Sequence, residues 1–331
     1  MVLLENTLDT IGNTPMVRLE RLFPDKNVYA KIEGNNLTGS MKARSALGMI
    51  NAAEDRGELK PGMTIVESTS GNLGYALAAI GSLKGYEVVL VVDPKTDELK
   101  RNILEAYGAT LETVDKPDER GAYQQARIER VKQLIDSIPN SWWPCQYSNP
   151  DNMNAHYKTT GPEIYKDLKG KVDVLVGSIG TCGHLGGSAK FLLEKNPDLR
   201  VIGVEPEGSI ISGGNYNPYL TQGPGLSFVP ENYDDKIIKE IMKVNDADAF
   251  HFAKELAKKE AILSGGSAGS LIYTIKNIQN QIPSDKNIVA ILADDGFRYA
   301  SNFYDDNWMT TRALRPKDRG FMKDTEDNES F

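Results

Sequence analysis

Glu33-Gly-Asn-Asn-Leu-Thr-Gly-Ser-Met-Lys42-Ala-Arg44 is a loop of Gly, Ser, Thr and Asn that gives way to a helix at its lysine. The following residues, Ala43 to Ala53, place Ala46, Leu47, Met49 and Ile50 on one apolar stripe at helical spacing. A lysine at a helix N-terminus faces the positive end of the dipole. That position disfavours the charged amine, and burial does the same, so Lys42 can be neutral and nucleophilic. A lysine in a first helical turn is usually a solvated surface charge, so the company it keeps has to decide.

Outward from this loop the chain alternates strands and helices. Val28–Glu33, Thr64–Glu67, Glu87–Val92, Ala109–Val114, Val172–Val176, Arg200–Glu205 and Asn287–Ala293 read as strands. Amphipathic or small-residue helices lie between most of them. This pattern predicts an α/β fold with mostly parallel sheets and right-handed crossovers. Trp142–Tyr147 reads as a strand leaving the first unit, and Ser148-Asn-Pro-Asp-Asn152 as a crossing point between domains. A helix is predicted from about Thr159, Ser209–Pro230 is a long irregular loop, and Ala247–Glu260 is a helix. The charged, polar residues after Leu314 read as a frayed tail.

One junction recurs. Glu67 leads into Ser68-Thr-Ser-Gly-Asn72, Val176 into Gly177-Ser-Ile-Gly-Thr-Cys-Gly183, and Leu263 into Ser264-Gly-Gly-Ser267, each before a helix. Such junctions offer backbone N–H groups and hydroxyls to anions, at strand ends where open α/β sheets bind ligands. One alone is commonly a capped turn. Three together suit a phosphate, a substrate carboxylate and a heterocycle nitrogen, and with Lys42 they suit a phosphorylated aldehyde cofactor. Two rival motifs fail. Lys42 follows Gly39-Ser-Met and precedes Ala43, which is not a P-loop, and Gly177, Gly180 and Gly183 have the wrong spacing for a dinucleotide fingerprint.

Composition narrows the function. The chain has 331 residues, enough for one large or two medium α/β domains, and a net charge of −8, which argues against a nucleic-acid or anionic-membrane binder. No apolar run approaches the ~18 residues of a membrane span. The N-terminus lacks the basic region and apolar core of a signal peptide, and Cys145 and Cys182 make no disulfide framework, so the cytoplasm is the expected location. His156, His184 and His251 show no zinc spacing, and no metal is expected.

These residues resemble the fold-type II pyridoxal-phosphate enzymes, in particular the cysteine synthase/cystathionine β-synthase family, over most of residues 6–305. Ile11-Gly-Asn-Thr-Pro-Met16 is similar to the family's opening motif. Asn36-Leu-Thr-Gly-Ser-Met-Lys42 is similar to its N-x-x-G-S-x-K signature, which implies that Lys42 is the Schiff-base lysine. Thr69-Ser70-Gly71-Asn72 resembles the substrate-carboxylate loop, and Asn72 is implied to bond the cofactor's 3′-oxygen. Gln146, in a stretch running to Thr159-Thr-Gly-Pro-Glu-Ile164, would help hold the carboxylate. Gly180, Thr181, Cys182, Gly183 and His184 resemble the phosphate loop, and Ser267 the partner of the pyridine nitrogen. Asp294-Asp-Gly-Phe-Arg-Tyr299 is similar to the D-x-G-x-R-Y segment, and Gly223-Pro-Gly225 occupies the family's G-I-G substrate segment. The chain departs from the pattern at Ala43, where Asp is usual, at Cys182 in place of Gly and at His184 in place of Thr.

The resemblance implies two three-layer αβα domains. The smaller and mobile one is 46–150, the larger is 1–45 plus 151–313, and 314–331 is the tail. It also implies a homodimer. The implied activity is β-replacement on an activated serine or cysteine, through an aminoacrylate, forming cysteine or a related β-substituted alanine. A hydroxyl at Ser267 makes a weaker electron sink than an acid and favours chemistry at Cβ over transamination. A cysteine β-lyase or hydrolyase releasing hydrogen sulfide has the same core. Glu67–Gly74, Val91-Val-Asp-Pro-Lys95 and Lys116–Tyr123 further resemble the siderophore-pathway branch that joins O-phosphoserine to glutamate on the way to 2,3-diaminopropionate. A non-catalytic partner protein of this fold is a third reading, against which the intact lysine and the three junctions argue.

Overall fold

Two sheets organise the computed structural model, which describes residues 3–69, 71–119 and 121–314. Ser70 and the polar segment from 315 onward lie outside the described residues. In chain order the elements begin with β1 (Met16–Arg18), β2 (Asn27–Ile32), α1 (Lys42–Asp55), β3 (Thr64–Ser68) and α2 (Asn72–Lys84). Next come β4 (Glu87–Val92), α3 (Glu98–Ala106), β5 (Thr110–Thr113), α4 (Tyr123–Ser137) and β6 (Ser141–Trp142). The second half holds α5 (Pro150–Lys158), α6 (Thr160–Asp167), β7 (Val174–Ser178), α7 (Gly183–Lys195), β8 (Arg200–Pro206) and β9 (Glu240–Val244). It closes with α8 (Asp246–Glu260), α9 (Gly266–Ile278), β10 (Asn287–Leu292) and α10 (Asp306–Thr311).

A six-stranded sheet runs β1-β2-β10-β7-β8-β9 and a four-stranded sheet runs β5-β4-β3-β6. All pairings are parallel except β1 with β2. The period-2 alternation of strands explains how each sheet is covered on both faces. In the small sheet Ile65, Val88, Leu90 and Val92 join the core under α1 and α2, whereas Val66 and Val91 face Val131 and Leu134 of α4. In the large sheet Val174, Val176, Ile288 and Ala290 face α8 and α9, and Leu175, Val289 and Ile291 face α7. Helix α1 places Ala46, Met49, Ile50 and Ala53 in the small-sheet core. Its first residue, Lys42, is thereby held at the seam, because Met41 N–H donates to Ala293 O, at the end of β10 (2.9 Å).

Two expectations need correction, and two elements went unread. The strand read over Trp142–Tyr147 pairs only through Ser141 and Trp142; Pro144 lacks an N–H and Cys145 has φ +52°, so the ladder ends. Ser148–Asn152 also opens an unread helix: Asn149 caps α5 and Pro150 sits in its first turn. The edge strand β9 lay unread beyond the Gly/Pro-rich loop, since only Val244 of its five residues is buried. Finally, the third junction follows no strand: Ser264 makes a single bridge to Asp295 before α9 begins.

Candidate active site

The Lys42 loop is fixed from beneath by an ion network. Arg44 Nε donates to Glu33 Oε2 (2.7 Å), its Nη1 to Glu163 Oε1 (2.6 Å) and its Nη2 to Thr14 Oγ1 (3.1 Å). Lys31 Nζ adds a pair to Glu163 Oε2 (2.9 Å). Asn36 Oδ1 accepts from Gly12 N–H (2.8 Å) and Glu163 Oε1 from Asn13 N–H (3.0 Å). Gly12 has φ +95°, and a Cβ there would press on Arg44 Nη1 at 3.1 Å. The opening motif, the lysine loop and α6 are thus one buried unit. Its charges are paired and hydrogen-bonded, as burial requires.

Above it, Lys42 points into a cavity of about 510 Å³ lined also by Thr69, Gly71, Asn72, Gln146, Gly180, Thr181, His184, Gly225, Ser267 and Asp294. Lys42 Nζ donates to Thr181 Oγ1 (3.3 Å). Burial lowers this amine to about 8, with Cys182 and Glu67 pulling the other way. Near neutral pH a useful fraction is therefore uncharged, as a nucleophile or a base needs.

The first junction carries Thr69 and Gly71 to the cavity; Ser70 lies outside the described residues. Asn72 opens α2, its Nδ2 donating to Asp294 Oδ2 (2.7 Å) and its Oδ1 accepting from Arg298 Nη1. Glu67, fully buried, accepts from Ser68 N–H (2.7 Å), Gln146 N–H (3.1 Å) and the Trp143 indole (3.0 Å), which ties Gln146 to this junction. Burial raises the Glu67 carboxyl to about 7. Gln146 Nε2 donates to Ser68 O (3.1 Å), leaving its second hydrogen for a ligand.

At the second junction, Gly180, Thr181 and His184 line the cavity, whereas the Cys182 side chain does not. Cys182 sits at φ +61° with its thiol in the apolar core, where burial raises it to about 12. Only its backbone is available to a ligand. Gly183 begins α7 and leaves room for the Asn152 carboxamide, which a Cβ would displace. His184 Nε2 is buried with no partner among the described residues, and burial lowers the ring to about 3, so it is neutral. Gly225 N–H donates to Ile179 O (2.7 Å), bringing the Gly223–Gly225 turn over Gly180. At the third junction Gly265 caps α9 and Ser267 is buried against the cavity.

The fit to a phosphorylated aldehyde is good. The cavity holds a depressed amine, three helix N-termini with glycine-bounded cradles, and buried polar atoms without partners among the described residues at His184 Nε2, Tyr75 OH and Asp294 Oδ1. Such atoms are costly unless a ligand meets them. Among the described residues no cluster of His, Cys, Asp or Glu suits a metal ion, and no helix is long and apolar enough to cross a membrane. Sequence reading missed the outer wall, where Lys95, Lys100, Tyr123, Arg127, Tyr219 and Gln222 converge. Lys100 and Arg127 lie on amphipathic helices, where such residues read as solvated.

Fold and site together define a two-sheet α/β enzyme built around a half-buried lysine. The chain belongs to the pyridoxal-phosphate dependent enzyme family, whose model matches residues 7–294. It is similar to O-ureido-L-serine synthase (34% identity, 93% of this chain and 100% of that one, TM-score 0.86). An O-ureido-L-serine-bound mutant of that enzyme matches at 32% identity over 95% of this chain and 100% of the other, with TM-score 0.85. A hydrogen sulfide-producing enzyme from Fusobacterium nucleatum matches at 35% identity over 90% of this chain and 100% of the other, with TM-score 0.84. The protein is thus a pyridoxal-phosphate dependent β-replacement or β-elimination enzyme of the cysteine synthase type.

Proposed function

We propose that the protein replaces the β-substituent of an activated serine with an incoming nucleophile, releasing a β-substituted alanine. One observation carries this: the Lys42 amine shares its cavity with all three junctions. Bound there, pyridoxal phosphate supplies an aldehyde for an amine and a ring that stabilises negative charge at the α-carbon. Gly180, Thr181, the Cys182 and Gly183 backbone and His184 hold the phosphate, and Asn72 and Ser267 hold the ring. Thr69, Ser70, Gly71, Asn72 and Gln146 receive the substrate carboxylate, and the Gly225 turn bounds the far side. Lys42 Nζ takes the α-proton, which its depressed basicity permits near neutral pH.

The outer wall favours an anionic donor or acceptor. Arg127 is 6% exposed and pairs with Asp93 (2.8 Å), yet its Nε has no partner among the described residues. Lys100 Nζ reaches Gln222 Oε1 (3.1 Å) as well as Asp97 (2.8 Å), and Lys95 lies over the Tyr123 ring. Three cations around the mouth of a cavity in an acidic protein suit a phosphate leaving group or an acidic amino-acid nucleophile. This supports O-phosphoserine with glutamate over O-acetylserine with sulfide. Cysteine β-elimination releasing hydrogen sulfide is the competing activity.

A donor panel of O-phosphoserine, O-acetylserine, serine and cysteine, with and without glutamate or sulfide, tests the reading. Turnover of O-phosphoserine only when a nucleophile is present supports it. Sulfide release from cysteine alone, with the other donors inert, overturns it. With Arg127→Met, loss of one charged hydrogen bond lowers kcat/KM for O-phosphoserine about 10- to 100-fold and changes an uncharged donor less than about threefold.

A further inference from the structure

We propose that Arg298 is a positioning residue that sets the Asn72 amide toward the cofactor and ties the Lys42 loop to the substrate-carboxylate loop. Arg298 follows β10 and lines the cavity with Asn72 and Tyr75. Its Nη1 donates to Asn72 Oδ1, at the start of α2. Its Nη2 donates to Thr38 O (2.9 Å), in the Lys42 loop, and to Asp295 Oδ2 (2.7 Å). One planar guanidinium thus joins Thr38, Asn72 and Asp295, which come from three separate segments. The chain leaves a slot for it. Gly39 has φ +72°, and a Cβ there would strike the Asp295 carboxylate and Arg298 Nη2. The Tyr75 ring, one turn along α2 from Asn72 and 3% exposed, has its centroid 5.3 Å from the guanidinium carbon.

The direction of the Asn72 amide follows from this contact. A carboxamide offers an acceptor on one arm and donors on the other, and arginine only donates. Asn72 Oδ1 therefore turns to Arg298, and Nδ2 turns away from it. One Nδ2 hydrogen meets Asp294 Oδ2 (2.7 Å), and the second is left for a ligand in the cavity. That hydrogen is the one assigned to the cofactor above, and the inference rests on that reading of Asn72. Burial pushes the Asp294 carboxyl up and the Arg298 charge pulls it down. Arg298 thereby also keeps Asp294 an acceptor, whereas a neutral acid donates as well and would let the amide turn over. Arg298 acts through Asn72 and needs no contact with the cofactor itself.

A double-mutant cycle tests this, read by the cofactor dissociation constant from fluorescence and by the visible absorbance of the holoenzyme. Glutamine in place of Arg298 both donates and accepts, so it no longer dictates the sense of the amide. Asn72→Ala is expected to weaken cofactor affinity about tenfold and Arg298→Gln about 3- to 10-fold, with the visible band moved in the same direction in both. The variant carrying both changes stays within about twofold of Asn72→Ala, because the two residues act as one unit. Losses that multiply, or an Arg298→Gln band identical to wild type, overturn the proposal and leave Arg298 a structural residue. A raised substrate KM with cofactor affinity unchanged also overturns it, by making Arg298 a substrate ligand. If Arg298→Gln does not fold, Arg298→Lys decides, since a single ammonium cannot serve Thr38, Asn72 and Asp295 together. Cofactor affinity lost only where Asn72 is present supports the proposal, and an equal loss with and without Asn72, or none, overturns it. An Asn72→Ala variant with wild-type cofactor affinity removes the Asn72 assignment and the proposal with it, so the two failures are read separately.

Discussion

Lys42 is reactive because of where the chain puts it. A solvated lysine titrates near 10.4, but this one enters the cavity at the first turn of α1 and falls to about 8. The neutral amine is the nucleophile, so its fraction rises with pH up to that value. Cofactor uptake by the apoenzyme is accordingly expected to quicken about tenfold per pH unit below about 8 and to level above it. Stopped-flow absorbance between pH 6 and pH 9.5 reads this directly, and a flat profile would remove the depressed amine from the account. Cys182 is the opposite case. Its thiol is buried and pushed up to about 12, so at neutral pH it resists alkylating reagents in the folded protein. Mass spectrometry after brief iodoacetamide treatment checks that, and rapid labelling of Cys182 would contradict its place in the core.

Elements decide how firmly the site is held. Helices α8 and α9 cross with Gly269 against the backbone of Ala249 and Ala253, leaving no room for a methyl group. Gly269→Ala is expected to destabilise the fold by about 1–3 kcal/mol in urea melts, with cofactor affinity reduced through the displaced N-terminus of α9. Unchanged stability would mean the crossing is looser than described. Most elements were legible in the sequence because their signals are local. The small-residue helix after Asn72, the stripe after Lys42 and the apolar strand Glu87–Val92 each declare their period. What stayed hidden depends on neighbours. β9 is an edge strand recognised by its pairing with β8 rather than by its half-exposed pattern. The third junction reads like the other two, but no ladder forms in front of it. Within the site, glycine and lysine motifs pointed to the cofactor. The free Oδ1 of Asp294 and the free Nε of Arg127 did not show, since an unsatisfied atom is a property of packing.

Across the whole molecule the cavity lies where the two sheets' loops meet. Hydrogen bonds from Lys100 to Gln222 (3.1 Å) and from Ser227 to Gln124 (3.1 Å) join the two sides beside it. We infer that the smaller unit closes over substrate by these contacts and shuts out water. Gln222→Ala and Gln124→Ala are each expected to raise KM about 2- to 10-fold, as the loss of one hydrogen bond allows, while the cofactor dissociation constant stays unchanged. A loss of cofactor affinity instead would place these residues in the scaffold. The account as a whole stands on a single attachment point. Borohydride reduction of the purified holoenzyme, followed by peptide mass mapping, tests it most directly. The account predicts one cofactor-derived mass on the peptide that carries Lys42 and none in Lys42→Ala. A label on any other lysine, or no label at all, would contradict it.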